Sequence, residues 1–248
     1  MKLCVQMYTL RDPAAKDLDG TLNALADMGV SWVELAGTYG LPPEDLRAIL
    51  DKYGLGVCGS HIGLQRLEED LEGVIAEQNT LGNPNVVLPW VGPADYADGW
   101  DALARRVTPI AENLLKAGLS FSYHNHNFEF ALHGEQTGYD LFFATAPAET
   151  VLAEIDVYWV MFAGYDPAEY VRRYAGRQNI VHWKDGKKGE KPSFTAGGEG
   201  DVPWDDVIEA SKLCGAEWGA VEIDVPPGDP VDDVRRSVDF FVSKGIEL

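Results

Sequence analysis

Short apolar runs rich in β-branched and aromatic residues recur along the chain, each followed by a loop and then by a segment with apolar positions at helical spacing. Eight such runs predict strands, at 3–8, 32–36, 56–60, 86–90, 119–124, 151–157, 180–184 and 218–223. The segments between them predict helices at 18–28, 43–53, 67–81, 100–117, 139–146, 167–174, 207–214 and 231–243. Pro43 and Pro167 suit a first helical position, where the missing N–H costs nothing. Gly29, Gly54, Gly82, Gly118, Gly215 and Gly245 suit the residue after a helix, where the chain turns left-handed. Helix, glycine, then strand is the punctuation of parallel βα units, so the pattern predicts an α/β protein, a single (β/α)8 TIM barrel over 1–248. An open doubly wound sheet is the rival, but no G-x-G-x-x-G follows the first run, and eight units exceed what that fold needs. No low-complexity linker divides the chain, and the one Gly-rich stretch, 195–201, falls where a long seventh βα loop would lie.

In such a barrel the working residues sit at the C-terminal ends of the strands, where polar side chains stand out against Val, Ile and Leu. Four consecutive late strands end in them: Tyr123-His124-Asn125-His126-Asn127-Phe128-Glu129, Glu154-Ile155-Asp156, His182-Trp183-Lys184-Asp185 and Glu222-Ile223-Asp224. Positions two apart in a strand share a face, so Glu154 pairs with Asp156, His182 with Lys184, and Glu222 with Asp224. Ile155, Val181, Trp183 and Ile223 then face the helices. Carboxylates and imidazoles on adjacent strands cannot stay charged and unpaired in a closed barrel mouth, and a divalent metal or mutual hydrogen bonding resolves the conflict. His182 alone reads as a hydrogen-bonded core histidine; beside Asp156 and Glu222 it reads as a metal ligand. Glu222 could equally pair with Lys184, and Glu154 could be a satisfied carboxylate deeper in the barrel. Trp90 and Trp159 fall near strand ends where a ring could line a sugar-sized pocket, and His61 closes the third strand.

Composition narrows the function classes. With 20 Lys+Arg against 40 Asp+Glu the net charge is -20, which repels nucleic acid. Three widely separated cysteines form no C-x-x-C pair, so no disulfide framework or zinc knuckle is expected and a reducing cytoplasm fits. No stretch approaches the roughly 18 apolar residues of a membrane span, and the chain is expected to be cytosolic and unprocessed. The face of 231–241 could dock a second copy, although packing on the barrel explains it equally well.

Several strings together resemble the xylose-isomerase-like TIM-barrel superfamily, in particular its sugar phosphate isomerase/epimerase group. They are Gly59-Ser60-His61, the string from Tyr123 to Phe130, Glu154-Ile155-Asp156-Val157-Tyr158-Trp159-Val160 followed by Ala163-Gly164 and Asp166-Pro167, His182-Trp183-Lys184-Asp185, Gly198-Glu199-Gly200-Asp201, and Val221-Glu222-Ile223-Asp224. They span the barrel almost end to end. The resemblance implies one divalent metal (Mn, Co, Zn or Mg) held by Glu, Asp, His and Glu, which carries onto Glu129, Asp156, His182 and Glu222, with His124 or His126 as the rival to Glu129. Endonuclease IV shares the superfamily, but it uses more histidines than the five here and acts on DNA.

The expected reaction is isomerisation or epimerisation of a keto sugar or sugar derivative through proton abstraction beside a carbonyl. Glu129 and Glu222 are the expected acid–base pair and Lys184 the group that meets an oxyanion, with His126 also catalytic; His61, His124, Trp90, Trp159 and Asp185 are expected to bind substrate. The same enolate formed from a 3-keto-glycoside or an inosose could expel a group instead, giving a lyase or dehydratase. In a third reading, from another class, the barrel binds a sugar or a partner without catalysis.

Overall fold

In the computed structural model, which describes residues 1–248, the eight apolar runs are parallel strands. They are β1 (Lys2–Gln6), β2 (Trp32–Leu35), β3 (Gly56–His61), β4 (Asn85–Leu88), β5 (Ser120–His124), β6 (Val151–Asp156), β7 (Ile180–Gly186) and β8 (Trp218–Glu222). Each pairs with the next in chain order, and β8 returns to β1, with Lys2 opposite Trp218 and Val5 opposite Val221, so the sheet closes into a single (β/α)8 TIM barrel. The register slips once, between Val33 and Glu34, so that Val33 faces Val57 and Glu34 faces Gly59.

Alternation along the strands divides inside from outside as expected. Trp183 points outward against Trp204 and Phe241 of the surrounding helices. Inside, the N-terminal end is plugged by Cys4, Cys58, Ile180, Trp218 and Ala220 with Trp32 beside them. A neutral network seals this floor: the Asn179 amide donates to Asn85 Oδ1 (2.6 Å), and the Asn85 amide donates to the Cys58 carbonyl (2.6 Å). All three cysteines are buried free thiols.

Several boundaries shift for local reasons. The strand expected over 151–157 stops at Asp156, because Asp156 Oδ1 accepts from the Trp159 N–H (3.0 Å) and caps an unanticipated helix, Val157–Phe162. β1 stops at Gln6, where the Gln6 side chain accepts from the Tyr8 N–H and opens a 3-10 turn, Met7–Leu10. The helix expected over 67–81 is two, Leu64–Glu69 and Leu71–Leu81, broken at Asp70, which caps the second by accepting from the Gly73 N–H. β7 runs on to Gly186 because Phe194–Thr195 pairs with its end antiparallel.

Candidate active site and metal centre

The C-terminal half of the barrel interior holds charge in place of hydrocarbon. Glu34, His124, Glu154, Asp156, His182, Lys184 and Glu222 are all buried there, each at or just beyond a strand's inward position. They form two tiers.

In the lower tier three imidazole nitrogens converge on one carboxylate oxygen. His61 Nε2, His124 Nδ1 and His182 Nε2 lie 3.1, 3.1 and 3.0 Å from Glu154 Oε1. Glu34 Oε2 lies 2.7 Å from the same His182 nitrogen, and Glu34 Oε1 is 3.4 Å from His61. The rings pack together, His61 stacked on His182 and His124 edge-on to it. Glu154 Oε2 and Glu34 Oε1 are buried without a hydrogen-bond partner. Burial opposes charge on His61, but Glu34 and Glu154 outweigh it and carry the ring up to about 9. The same contest, with Glu222 added, holds His182 well above the ordinary range. His124 goes the other way: burial, joined by the neighbouring cation at His182, keeps it neutral far below the usual value.

The upper tier is organised around Lys184. Its Nζ lies 2.8 Å from Asp156 Oδ2, 2.9 Å from Glu222 Oε2 and 2.8 Å from Asp224 Oδ1. Burial disfavours the ammonium, but three carboxylates hold it charged, well above the usual lysine range. Glu222 also lies 2.8 Å from His182 Nδ1, which links the tiers; against burial, Lys184 and His182 keep it ionised. Burial pushes Asp156 up to about 6, against the pull of Lys184.

Above both tiers opens a cavity of about 460 Å³ lined by His61, His124, His126, Lys184, Glu222 and Asp224, with Tyr8, Arg11, Trp90 and Val225 at its rim. That volume suits a monosaccharide or a small derivative of one. Trp90 is 52% exposed there, a large apolar surface at a pocket mouth. The Arg11 guanidinium stacks 4.2 Å over the Tyr8 ring and donates to the Tyr8 carbonyl, so the rim carries one positive charge. Burial keeps the His126 imidazole neutral, down to about 3, and its Nδ1 has no partner.

The structure brings Asp156, His182, Lys184, Glu222, His61, His124, His126 and Trp90 to this site, but three expected residues stand elsewhere. Glu129 is not among the clustered donors: the chain turns through a 3-10 helix, Phe128–Phe130, and its carboxylate accepts from Tyr123 OH (2.8 Å) and the His126 N–H (2.9 Å). The strand-five place in the cluster belongs to His124. Asp185, out of phase with Lys184, turns away from the cavity and accepts from the backbone of Gly186, Gly198, Gly200 and Val202 and from Trp204 Nε1. It organises the seventh loop. Trp159 is buried behind His126, ring centroids 5.5 Å apart, and does not line the cavity. Sequence reasoning missed Glu34, a lone acid in Trp32-Val33-Glu34-Leu35 whose inward position was the only signal. It also left Glu154 as a deeper structural carboxylate; the residue is deeper, but it is the oxygen on which three imidazoles converge.

The donors test well for a divalent cation. His124, Asp156, His182 and Glu222 offer atoms all within 4.8 Å of one another, as do His61, His124, Glu154 and His182. Mixed imidazole and carboxylate sets of this size suit zinc, manganese or cobalt.

Comparison with known proteins agrees with this architecture. The chain is 25% identical over 191 residues to an inosose dehydratase of Geobacillus kaustophilus, an alignment covering 67% of this chain and 61% of that protein's length. A sugar phosphate isomerase/epimerase structure from Parabacteroides distasonis superposes with a TM-score of 0.83 at 21% identity, covering 97% of both chains. The structure of an IolI protein with a bound zinc atom superposes with a TM-score of 0.72 at 14% identity over the whole of both chains. The family model for the xylose isomerase-like TIM barrel matches residues 22–244, and the chain belongs to that family.

Proposed function

We propose that this protein is a divalent-metal-dependent isomerase or epimerase of a keto sugar or sugar derivative. The observation that carries the reading is the cavity lining, where an ionised carboxylate, Glu222, and an ammonium, Lys184, stand 2.9 Å apart in a pocket that also holds the neutral imidazoles of His124 and His126. Glu222 is the base that takes a proton from the carbon beside a carbonyl. The electron pair moves to the carbonyl oxygen, and the buried positive charge of Lys184 stabilises the developing negative charge. His126, neutral and with an unpartnered nitrogen, hydrogen-bonds a substrate hydroxyl and passes its proton, while Trp90 offers a flat face to a sugar ring. The cation is held in the imidazole–carboxylate cluster that includes His124 and His182; when bound, it supplies fixed positive charge that polarises the carbonyl. The zinc atom in the IolI structure supports that assignment.

A second reading rests on the likeness to inosose dehydratase. There the same proton abstraction is followed by loss of a neighbouring hydroxyl as water. The charge of -20 and the buried free thiols favour a small sugar substrate over nucleic acid, in a reducing cytoplasm; no helix is long and apolar enough to cross a membrane.

Incubation with a panel of keto sugars and inososes in heavy water tests both. Deuterium uptake beside the carbonyl with the carbon skeleton and oxygen count intact supports the isomerase. Uptake with loss of water transfers the assignment to the dehydratase. A metal-loaded protein that exchanges no proton on any of them contradicts both and leaves a non-catalytic binding barrel.

A further inference from the structure

We propose that the mouth of the cavity is a second subsite, for a flat ring with an apolar face joined to the reacting sugar, so that the substrate is a keto glycoside rather than a free monosaccharide. The inference rests on the sugar-enzyme reading above and names the class of substrate that the site takes.

The polarity of the cavity carries it. Glu222, Lys184 and His124 line its buried end, and these charged and hydrogen-bonding groups suit the oxygens of a keto sugar. The rim has the opposite character. Seven large apolar side chains are exposed over the whole surface, and three of them, Tyr8, Trp90 and Val225, line this one mouth at 43%, 52% and 62% exposure. Exposed apolar groups scattered singly need no explanation, whereas a set gathered round a pocket marks a binding surface. A free monosaccharide satisfies the inner end and leaves the rim wet. A ligand polar at one end and apolar at the other matches both.

The two aromatic rings are also held in place, which exposed side chains ordinarily are not. The Tyr8 N–H donates to the Gln6 side-chain oxygen (3.0 Å), and the Arg11 guanidinium packs 4.2 Å over the Tyr8 ring while donating to the Tyr8 carbonyl (2.7 Å). The Trp90 ring lies along the α-carbon of Gly92, where a Cβ would come 3.3 Å from Trp90 Cη2. The Gly92 N–H donates to Asp95 Oδ2 (2.8 Å), and Asp95 Oδ1 pairs with Arg106 (3.0 Å), which ties this loop to the helix Trp100–Lys116. Surfaces fixed beforehand lose little freedom on binding, so they favour a ring that stacks on them. Tyr8 and Val225 follow the adjacent strands β1 and β8, whereas Trp90 follows β4, three strands further round. A ring that projects from the buried sugar therefore leaves between the two aromatic residues.

The test uses the metal-loaded full chain with 3-keto glucopyranose and 3-keto galactopyranose, each as free sugar, methyl glycoside, phenyl glycoside and glucosyl disaccharide. Turnover is read as deuterium uptake beside the carbonyl or as product formed. The phenyl glycoside or the disaccharide is expected to exceed the methyl glycoside in kcat/KM by about tenfold or more, and the better of the two tells whether the outer ring is aromatic or a second sugar. Trp90→Ala and Tyr8→Ala, each checked for folding by circular dichroism, should cut that ratio by about threefold or more through KM. Leu213→Ala, at a position 72% exposed outside the cavity, should keep it. Equal kcat/KM for methyl and ring-bearing glycosides, a ratio unchanged in both aromatic variants, or turnover confined to free keto sugars and inososes overturns the outer subsite and leaves the sugar-enzyme reading standing. A chain that turns over none of the glycosides, free keto sugars or inososes overturns that reading as well.

Discussion

The two ends of the barrel are filled by the same eight strands and differ in almost every physical respect. At the N-terminal floor, Trp32, Trp218, Cys4, Cys58 and Ile180 pack together, and neutral hydrogen bonds run from the Asn179 amide to Asn85 and from the Asn85 amide to the Cys58 carbonyl. At the C-terminal end, five carboxylates, four imidazoles and an ammonium share the interior, and Glu34, Glu154, Asp156, Lys184 and His126 each keep a buried polar atom without a hydrogen bond. Neutral polar groups cost little once bonded, whereas unpaired buried charge costs several kcal/mol per ion. The floor is therefore arranged for stability, and the mouth stores a binding demand that only a ligand meets.

The comparison breaks most severely at Lys184. Lys184→Met leaves Asp156, Glu222 and Asp224 without their cation, a loss of about 3 to 5 kcal/mol in stability, and removes the group facing the oxyanion. Chemical denaturation should show the first effect. Proton-exchange rates in the surviving folded protein should fall by about 10²-fold to 10³-fold. Undiminished exchange would remove Lys184 from the chemistry.

A Cβ at Gly59 would lie 2.7 Å from Glu34 Oε1 and 2.8 Å from Ile180 Cδ1, where the charged half meets the packed floor. Gly59→Ala is expected to cost about 1 to 3 kcal/mol through overpacking by forcing Glu34 against His61 and His182. A variant as stable as wild type would show that the junction yields easily.

Asp185→Asn removes a charged acceptor shared by four backbone N–H groups and Trp204. A cost of about 1 to 3 kcal/mol is expected. Hydrogen exchange should quicken over 186–204 and leave the floor strands untouched; unchanged protection there would deny Asp185 its organising role.

The smallest effect concerns Glu129. Burial pushes its carboxyl up to about 8, above the value of about 4.3 in an unfolded chain. Between those values the folded state keeps a proton that the unfolded state releases, so this group lowers stability as pH rises through the window. Melting temperature against pH should be flatter for Glu129→Gln than for wild type between about pH 5 and 8. Parallel curves would mean that Glu129 is ionised throughout.

How far the sequence revealed this follows from the periodicity of a strand. Alternation of two placed His182, Lys184, Glu154, Asp156 and Glu222 inside the barrel and Trp183 outside, and the repeated helix–glycine–strand punctuation announced the eight units. Where regular alternation ends, so does legibility. Glu129 follows a chain reversal after β5, and a 3-10 turn swings it toward Tyr123. Asp185 was assigned to the site by adjacency to Lys184, although its phase already pointed elsewhere. Glu34 lies beside a register slip, with no second polar position in its strand to mark the face. Lys184 was legible as an inward cation beside His182 with Glu222 as a partner; only folding shows that Asp156 and Asp224 ring it as well.

Metal analysis of the purified chain tests the account most directly. Plasma mass spectrometry on wild type and on His182→Ala, both checked for folding by circular dichroism, reads whether the charged end of the barrel holds an ion. The account predicts about one divalent transition-metal ion per chain, lost in the folded variant because His182 belongs to both donor groups. Wild type that carries no metal and takes up none on addition would contradict it.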